Sequence, residues 1–387
     1  MLKRYFLNNK KRNFSTASIW IKGGSDMDST GKKGINKILC SLLTRGCEGF
    51  NNFTLSEYIE SYGAELNQEI FEDGISISIK SLNEHFNKLC PLLELIINKP
   101  ILSETEFKKV KKSSIDHIKK DKENPFNICF EKWRKIVYSN HPYAFNTIGN
   151  ANDVSKITYE DVLLEFKNLK DREKYLISNN PEINGENFGT LEKKILREKT
   201  DTLYHNLTTN TFDYINNDSN QTIIMMGDQT CSRRSSEYFP LKVLESYLSY
   251  GMSAALFKLF REKYGITYDL GVYYPIRSGN APFLIYLSVS NDQALFAFEL
   301  LSTLWKNLLL NPLTDAEIFL AKEKLKGSFL LGNQSLDEIL QRKIQLVSYG
   351  ISPISENDLN SKIEEISSLD ILKLFNKYFS KPFLSIS

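Results

Sequence analysis

Arg261 and Tyr268 stand seven positions apart (268 − 261 = 7) in Leu256-Phe257-Lys258-Leu259-Phe260-Arg261-Glu262-Lys263-Tyr264-Gly265-Ile266-Thr267-Tyr268. A phenol can donate a hydrogen bond to a carbonyl oxygen as it gains negative charge, and a guanidinium can anchor a carbonyl or carboxylate. Taken alone, the run is also an ordinary helix end: cations suit the C-terminal dipole, Gly265 suits a left-handed cap and Tyr268 suits a strand. A second group lies earlier. Lys37-Ile38-Leu39-Cys40-Ser41 sits in a segment whose Ile35, Ile38, Leu39, Leu42 and Leu43 recur at helical spacing, and His117 stands later, in Ile115-Asp116-His117-Ile118. One thiol and one imidazole do not make the three or four converging ligands that a metal needs. The plain expectation is a buried Cys40 and a partly exposed His117. His141-Pro142-Tyr143, with Gly149, reads as a turn and helix entry, Gly251-Met252-Ser253 as a short glycine turn, and His85 and His205 have no ligand-spaced neighbours.

The elements that must position these residues follow one plan twice. Ser18-Ile19-Trp20-Ile21-Lys22 reads as a strand ending in a glycine turn, helices follow over Ile35 to Leu43 and Leu55 to Tyr62, and residues 74–79 alternate as a half-buried strand. In the second half, residues 222–227 read as a strand, Leu241 to Arg261 as helical, and residues 281–289 as another strand. Ser103-Glu104-Thr105-Glu106 and Thr314-Asp315-Ala316-Glu317 are both capping boxes, at an offset of 314 − 103 = 211. The segments around Thr158 and Ser367 pair at 367 − 158 = 209. A register held across several landmarks argues for a duplicated α/β unit. The expected division is a first domain over 1–185, a linker over 186–218, and a second domain over 219–387.

With 387 residues and 41% hydrophobic content, the chain can fill two cores, and a net charge of +2 gives no electrostatic commitment to nucleic acid. Five widely spread cysteines without a C-x-x-C pair point to a reducing compartment. The apolar run Leu89 to Ile97 is far short of the roughly 18 residues of a bilayer span. The expectation is a cytoplasmic protein without membrane insertion.

The Arg261–Tyr268 run resembles the Arg/Tyr signature in the C-terminal half of insulinase- and pitrilysin-type zinc peptidases. Gly24-Ser25, Gly34-Ile35-Asn36 and Leu42-Leu43-Thr44-Arg45-Gly46 are similar to the surroundings of that family's inverted H-x-x-E-H motif. Against that motif, Lys37 and Ser41 stand at the histidine positions, Cys40 at the general-base position, and His117 near the third ligand. A cationic Lys37 repels Zn²⁺, Ser41 ligates it poorly and Cys40 is no carboxylate base.

The resemblance implies an α/β (α+β) fold of two homologous domains, each a mixed, mainly antiparallel sheet with helices on one side, forming half of a peptidase clamshell. It further implies no metal in this chain, zinc in a homologous H-x-x-E-H-bearing partner, and a heterodimer acting on unfolded peptides. In such pairs one chain brings the zinc motif and the other the Arg/Tyr pair. Arg261 and Tyr268 would then bind substrate and complete the partner's site. Two rivals remain: a peptide-binding or scaffold subunit without a role in proteolysis, and an autonomous enzyme with a metal site rebuilt on Cys40 and His117.

Overall fold

The computed structural model describes residues 2–7, 13–183, 186–187, 212–214, 220–331, 335–351 and 356–387. The first half of the chain runs β1 (Leu2–Phe6), β2 (Phe14–Lys22), α1 (Ile35–Leu43), α2 (Asn52–Glu60), β3 (Glu65–Ile70) and β4 (Gly74–Leu82). It continues through α3 (Asn83–Asn98), α4 (Glu104–Asp121), α5 (Pro125–Tyr138), α6 (Ala151–Lys156), α7 (Tyr159–Asp171), β5 (Lys174–Ser178) and β6 (Glu186–Asn187). The second half has β7 (Phe212–Tyr214), β8 (Gln221–Gln229), α8 (Tyr238–Ser249), β9 (Thr267–Tyr273) and β10 (Pro282–Ser290). It closes with α9 (Ala294–Leu310), α10 (Asp315–Leu331), α11 (Leu336–Ser348), α12 (Glu356–Glu364), α13 (Ser368–Phe379) and β11 (Phe383–Ile386). The chain forms two compact units, 1–120 with 145–197 and 332–353, and 121–144 with 198–331 and 354–387. The expected linker lies outside the described residues except at β6 and β7, as does His205.

In the first unit the strands run β3-β4-β2-β5-β1-β6, antiparallel except that β1 is parallel to β5 and β6. Alternation along β2 sends Ala17, Ile19 and Ile21 into a core with Ile38 and Leu39 of α1 and Leu89 and Leu93 of α3. Trp20 points to the opposite face. There it clusters with Tyr5 and Ile177 against Leu336, Leu340 and Ile344 of α11.

In the second unit the order is β7-β11-β8-β10-β9, antiparallel except that β7 is parallel to β11. Ile224, Ile285 and Leu287 face a core completed by α8, α9 and α13. The other face is covered by α5. Trp133 Nε1 donates to Phe383 O at 3.2 Å, the Cys129 thiol donates to Ser385 O at 3.4 Å, and Phe126 and Phe130 meet Tyr286 and Tyr273 edge-on.

Both sheets are therefore mixed and mainly antiparallel with a helical layer on one face, and each gains one further helix on the other. Those two helices are equivalent by register, since 336 − 125 = 211. They have traded places: α5 from the first half completes the second sheet, and α11 from the second half completes the first. The landmarks around Thr158 and Ser367 are also equivalent in structure, because Thr158 with Asp161 and Ser367 with Asp370 both form reciprocal capping boxes, at α7 and α13. Thr314 and Glu317 form a third. At Ser103 only half of the box is made. Its hydroxyl accepts from Glu106 N, while the Glu106 carboxylate turns to Lys109 at 2.7 Å.

The segment with helical spacing from Leu241 to Arg261 is not one helix. The α8 helix stops at Ser249, Gly251 takes a φ of +74°, and a separate π-helical turn spans Phe257–Lys263. Apolar spacing cannot register such a break, because Leu244, Leu248, Leu256 and Phe260 are buried in one core on both sides of it.

Candidate functional site

Arg261 and Tyr268 are both presented by departures from regular structure. The Arg261 turn is wound as a π-helix, whose wider winding occurs often at functional sites. Phe260 is fully buried and fixes this turn to the core, while Arg261 is exposed with its guanidinium 5.4 Å from the Phe257 ring centre. Ile266 N closes the turn on Phe260 O at 2.9 Å, and Gly265 reverses the chain at a φ of +63°. β9 then pairs with β10, but Val289 faces Thr267 while Ser288 faces Asp269. Tyr268 is the residue left over, in a β-bulge. Such a bulge swings a side chain away from the pleat, and Tyr268 is 64% exposed. Among the described residues, no hydrogen bond or ion pair holds the polar end of either side chain.

The second group lies in the first unit. α1 is set by a buried polar cluster: Asp28 accepts from Gly34 N at 2.7 Å, from Asn36 N at 3.1 Å and from Asn36 Nδ2 at 2.8 Å. Burial pushes the Asp28 carboxyl up to about 6. Asn36 Oδ1 in turn accepts from Arg172 at 3.0 Å. This network turns Lys37 and Ser41 toward α4, where they line a cleft of about 380 Å³ with His117. Cys40 is on the other side of the helix, fully buried in the core, and burial pushes its thiol up to about 12. Arg45, Lys109, Ser113 and Ser114 complete the polar lining. Sequence reasoning missed these four and Asp28. The signal for three of them was present, because Arg45 follows Lys37 and Ser41, and Lys109 and Ser113 lead to His117, each at four-residue intervals.

A family model described as Insulinase (Peptidase family M16) matches residues 4–151, and one described as Peptidase M16 inactive domain matches residues 182–325. The chain belongs to the insulinase family. Among its relatives, an "Uncharacterized zinc protease" of Rickettsia bellii (strain RML369-C) is 22% identical over 93% of this chain and 88% of its own length. The "Uncharacterized zinc protease YmxG" of Bacillus subtilis (strain 168) is 22% identical over 100% and 99%. The "Mitochondrial-processing peptidase subunit beta" of Saccharomyces cerevisiae is 21% identical over 94% and 83%. The fold is similar to that of the peptidase M16 inactive domain from Pseudomonas fluorescens, with a TM-score of 0.83, 19% identity and coverage of 98% and 94%. It is likewise similar to a protease from Helicobacter pylori, with a TM-score of 0.84, 17% identity and coverage of 98% and 95%.

Insulinase-family peptidases imply zinc, and the cleft of this chain does not fit it. Lys37 brings an ammonium to the lining, Ser41 a neutral hydroxyl and His117 the lining's one imidazole. Cys40, the remaining soft donor, is sealed in the core as a thiol. Among the described residues, no three His, Cys, Asp or Glu side chains converge to hold a metal ion. The five cysteines are all unpaired.

Proposed function

We propose that this insulinase-family chain is a non-catalytic subunit of a zinc metalloendopeptidase, acting with a homologous partner that carries the H-x-x-E-H motif. The observation that carries this reading is the paired irregularity at Arg261 and Tyr268: a π-turn and a β-bulge hold both polar ends out with no partner in their own unit. Structural departures of this kind are stable only where the surrounding packing over-determines them, and they concentrate at functional sites. In this role the Tyr268 phenol donates to the substrate carbonyl oxygen as charge develops on it, and the Arg261 guanidinium anchors a peptide carbonyl or carboxylate.

β9 adds a means of holding the peptide. It is an edge strand of its sheet among the described residues. The unpaired N–H and C=O groups of an edge can take up an extended chain. Peptides bound in this way lie beside Tyr268. The cationic cleft around Lys37 supports the assignment of zinc to the partner. No described helix is long and apolar enough to cross a membrane, and five free thiols favour a cytoplasmic setting.

The test is turnover in the native complex. The isolated chain is expected to hydrolyse no peptide, and Tyr268→Phe in the complex is expected to lower kcat about ten- to a thousandfold through loss of one oxyanion donor. Unchanged turnover in an intact complex would move the chain to a scaffold role.

A further inference from the structure

The cleft where a zinc motif would lie has acquired a different set of groups. Lys37, Ser41 and Arg45 follow each other at four-residue intervals along α1 and just past its end, and Lys109, Ser113 and His117 do the same along α4. Both rows line the same cleft. Three of these six side chains are cations, no carboxylate is among the lining residues, and every polar group in the lining can donate a hydrogen bond. Glu106 is the acid that approaches them, 2.7 Å from Lys109 and 3.8 Å from Arg45. Lys37 is half-buried and, among the described residues, has neither ion pair nor hydrogen bond.

The larger cavity of the same unit makes the contrast. It has about 670 Å³ and its cations are already matched, Arg4 by Glu94 at 2.7 Å and Lys99 by Glu48 at 2.5 Å. Of the two, the smaller cleft carries more cations than carboxylates approach it, with Glu106 shared between Lys109 and Arg45 and Lys37 left, among the described residues, without an ion pair.

We infer that this cleft is a subsite for an acidic peptide segment, binding its carboxylates through Lys37 and Arg45 with the serine hydroxyls as further donors. A peptide is the ligand because the inference rests on the peptide-handling role proposed above. The spread of the donors favours carboxylates over a single small anion. Eight helical residues separate Lys37 from Arg45, about 12 Å at 1.5 Å per residue. A phosphate needs donors converging on one point, whereas acidic side chains on one face of an extended segment repeat about every 6–7 Å.

The test uses the full chain without a partner. A short fluorescein-labelled peptide rich in glutamate is compared with its glutamine counterpart by fluorescence anisotropy at low salt, with inorganic phosphate as competitor. The glutamate peptide is expected to bind about tenfold tighter or more, as charge-assisted hydrogen bonds require. Lys37→Gln and Arg45→Gln should each erode that preference, and Lys37→Glu should lower it further, with circular dichroism showing that each variant is folded. Equal binding of the two peptides would overturn the inference, as would a preference indifferent to all three substitutions. Displacement of the glutamate peptide by phosphate at equal concentration would also overturn it, by marking a small-anion site. The assay contains no partner and reads no hydrolysis. Its failure therefore leaves the Tyr268 test standing, and failure of the Tyr268 test leaves this binding difference standing.

Discussion

Asp228 sits near the end of β8 with its carboxylate accepting one hydrogen bond, from Gln229 N at 2.6 Å. Burial outweighs that bond and pushes its pKa from 3.8 to about 7. The folded protein thus holds this proton more tightly than the unfolded chain. The stability it brings is complete below about pH 4 and is lost as pH rises to about 7. Asp228→Asn keeps the acceptor and removes the charge. It should stabilise the protein by about 2–4 kcal/mol at pH 8, with a gap over wild type that widens from pH 5 to pH 7 and is flat above. Urea denaturation at a series of pH values reads this directly, and a gap independent of pH would contradict it. None of this was legible in the sequence, because nothing in Met226-Gly227-Asp228-Gln229 says how much water reaches the carboxylate. The residues themselves were legible: Lys37, Ser41, His117, Arg261 and Tyr268 were all singled out by the resemblance to the zinc peptidases. Asp28 was not, since a residue that caps a helix from several positions upstream leaves no periodic trace.

The segment from Arg261 to Tyr268 is held by one reversal. Gly265 adopts a left-handed φ of +63°, and only Arg261 O lies within 4.0 Å of where a Cβ would stand. Gly265→Ala therefore meets no clash, but it pays the left-handed penalty of about 1–2 kcal/mol that L-residues carry. Thermal or urea melts should show a loss of that size. Turnover of the native complex should fall by more than the melt accounts for, since relaxation of Gly265 moves Arg261 and Tyr268 relative to each other. A stability loss with turnover unchanged would detach these residues from the reaction. The spacing of this segment and its glycine cap could be read in advance, whereas the π-turn and the bulge could not. Each is a one-residue slip, decided by how Phe260 seats in the core and by the Val289–Thr267 register, and both depend on residues distant in sequence. Capping boxes behaved differently. The box expected at Thr314 bonds to a group three residues away and forms, whereas the one expected at Ser103 is half made because Glu106 turns to Lys109.

At the scale of the whole chain, the duplication could be read from offsets of 209 and 211, and the trade of α5 for α11 could not. An amphipathic stripe states that a helix buries one face and is silent on which sheet receives it. The exchange is substantial. Cys129, Trp133 and Val137 of α5 are fully buried, and at about 1.5–3 kcal/mol per large apolar side chain the interface is worth several kcal/mol. A specific protease site inserted near residue 200 should therefore cut the backbone without separating the pieces. The two fragments are expected to co-elute in native gel filtration and to part only in denaturant. Separation under native conditions would mean that the exchanged helices contribute little.

The traded helices also govern how this sequence can change over generations. A substitution on α11 is judged by the sheet around Trp20, and one on α5 by the sheet around Ser385, so neither half of the gene can drift alone in its packing. Recombination that replaced one half with that of a distant relative would break two helix–sheet fits at once. The row of α1 that faces the cleft lies on the opposite face of the sheet from α11 and outside both of these fits. Side chains such as Lys37 and Ser41 could change there while the architecture was inherited whole.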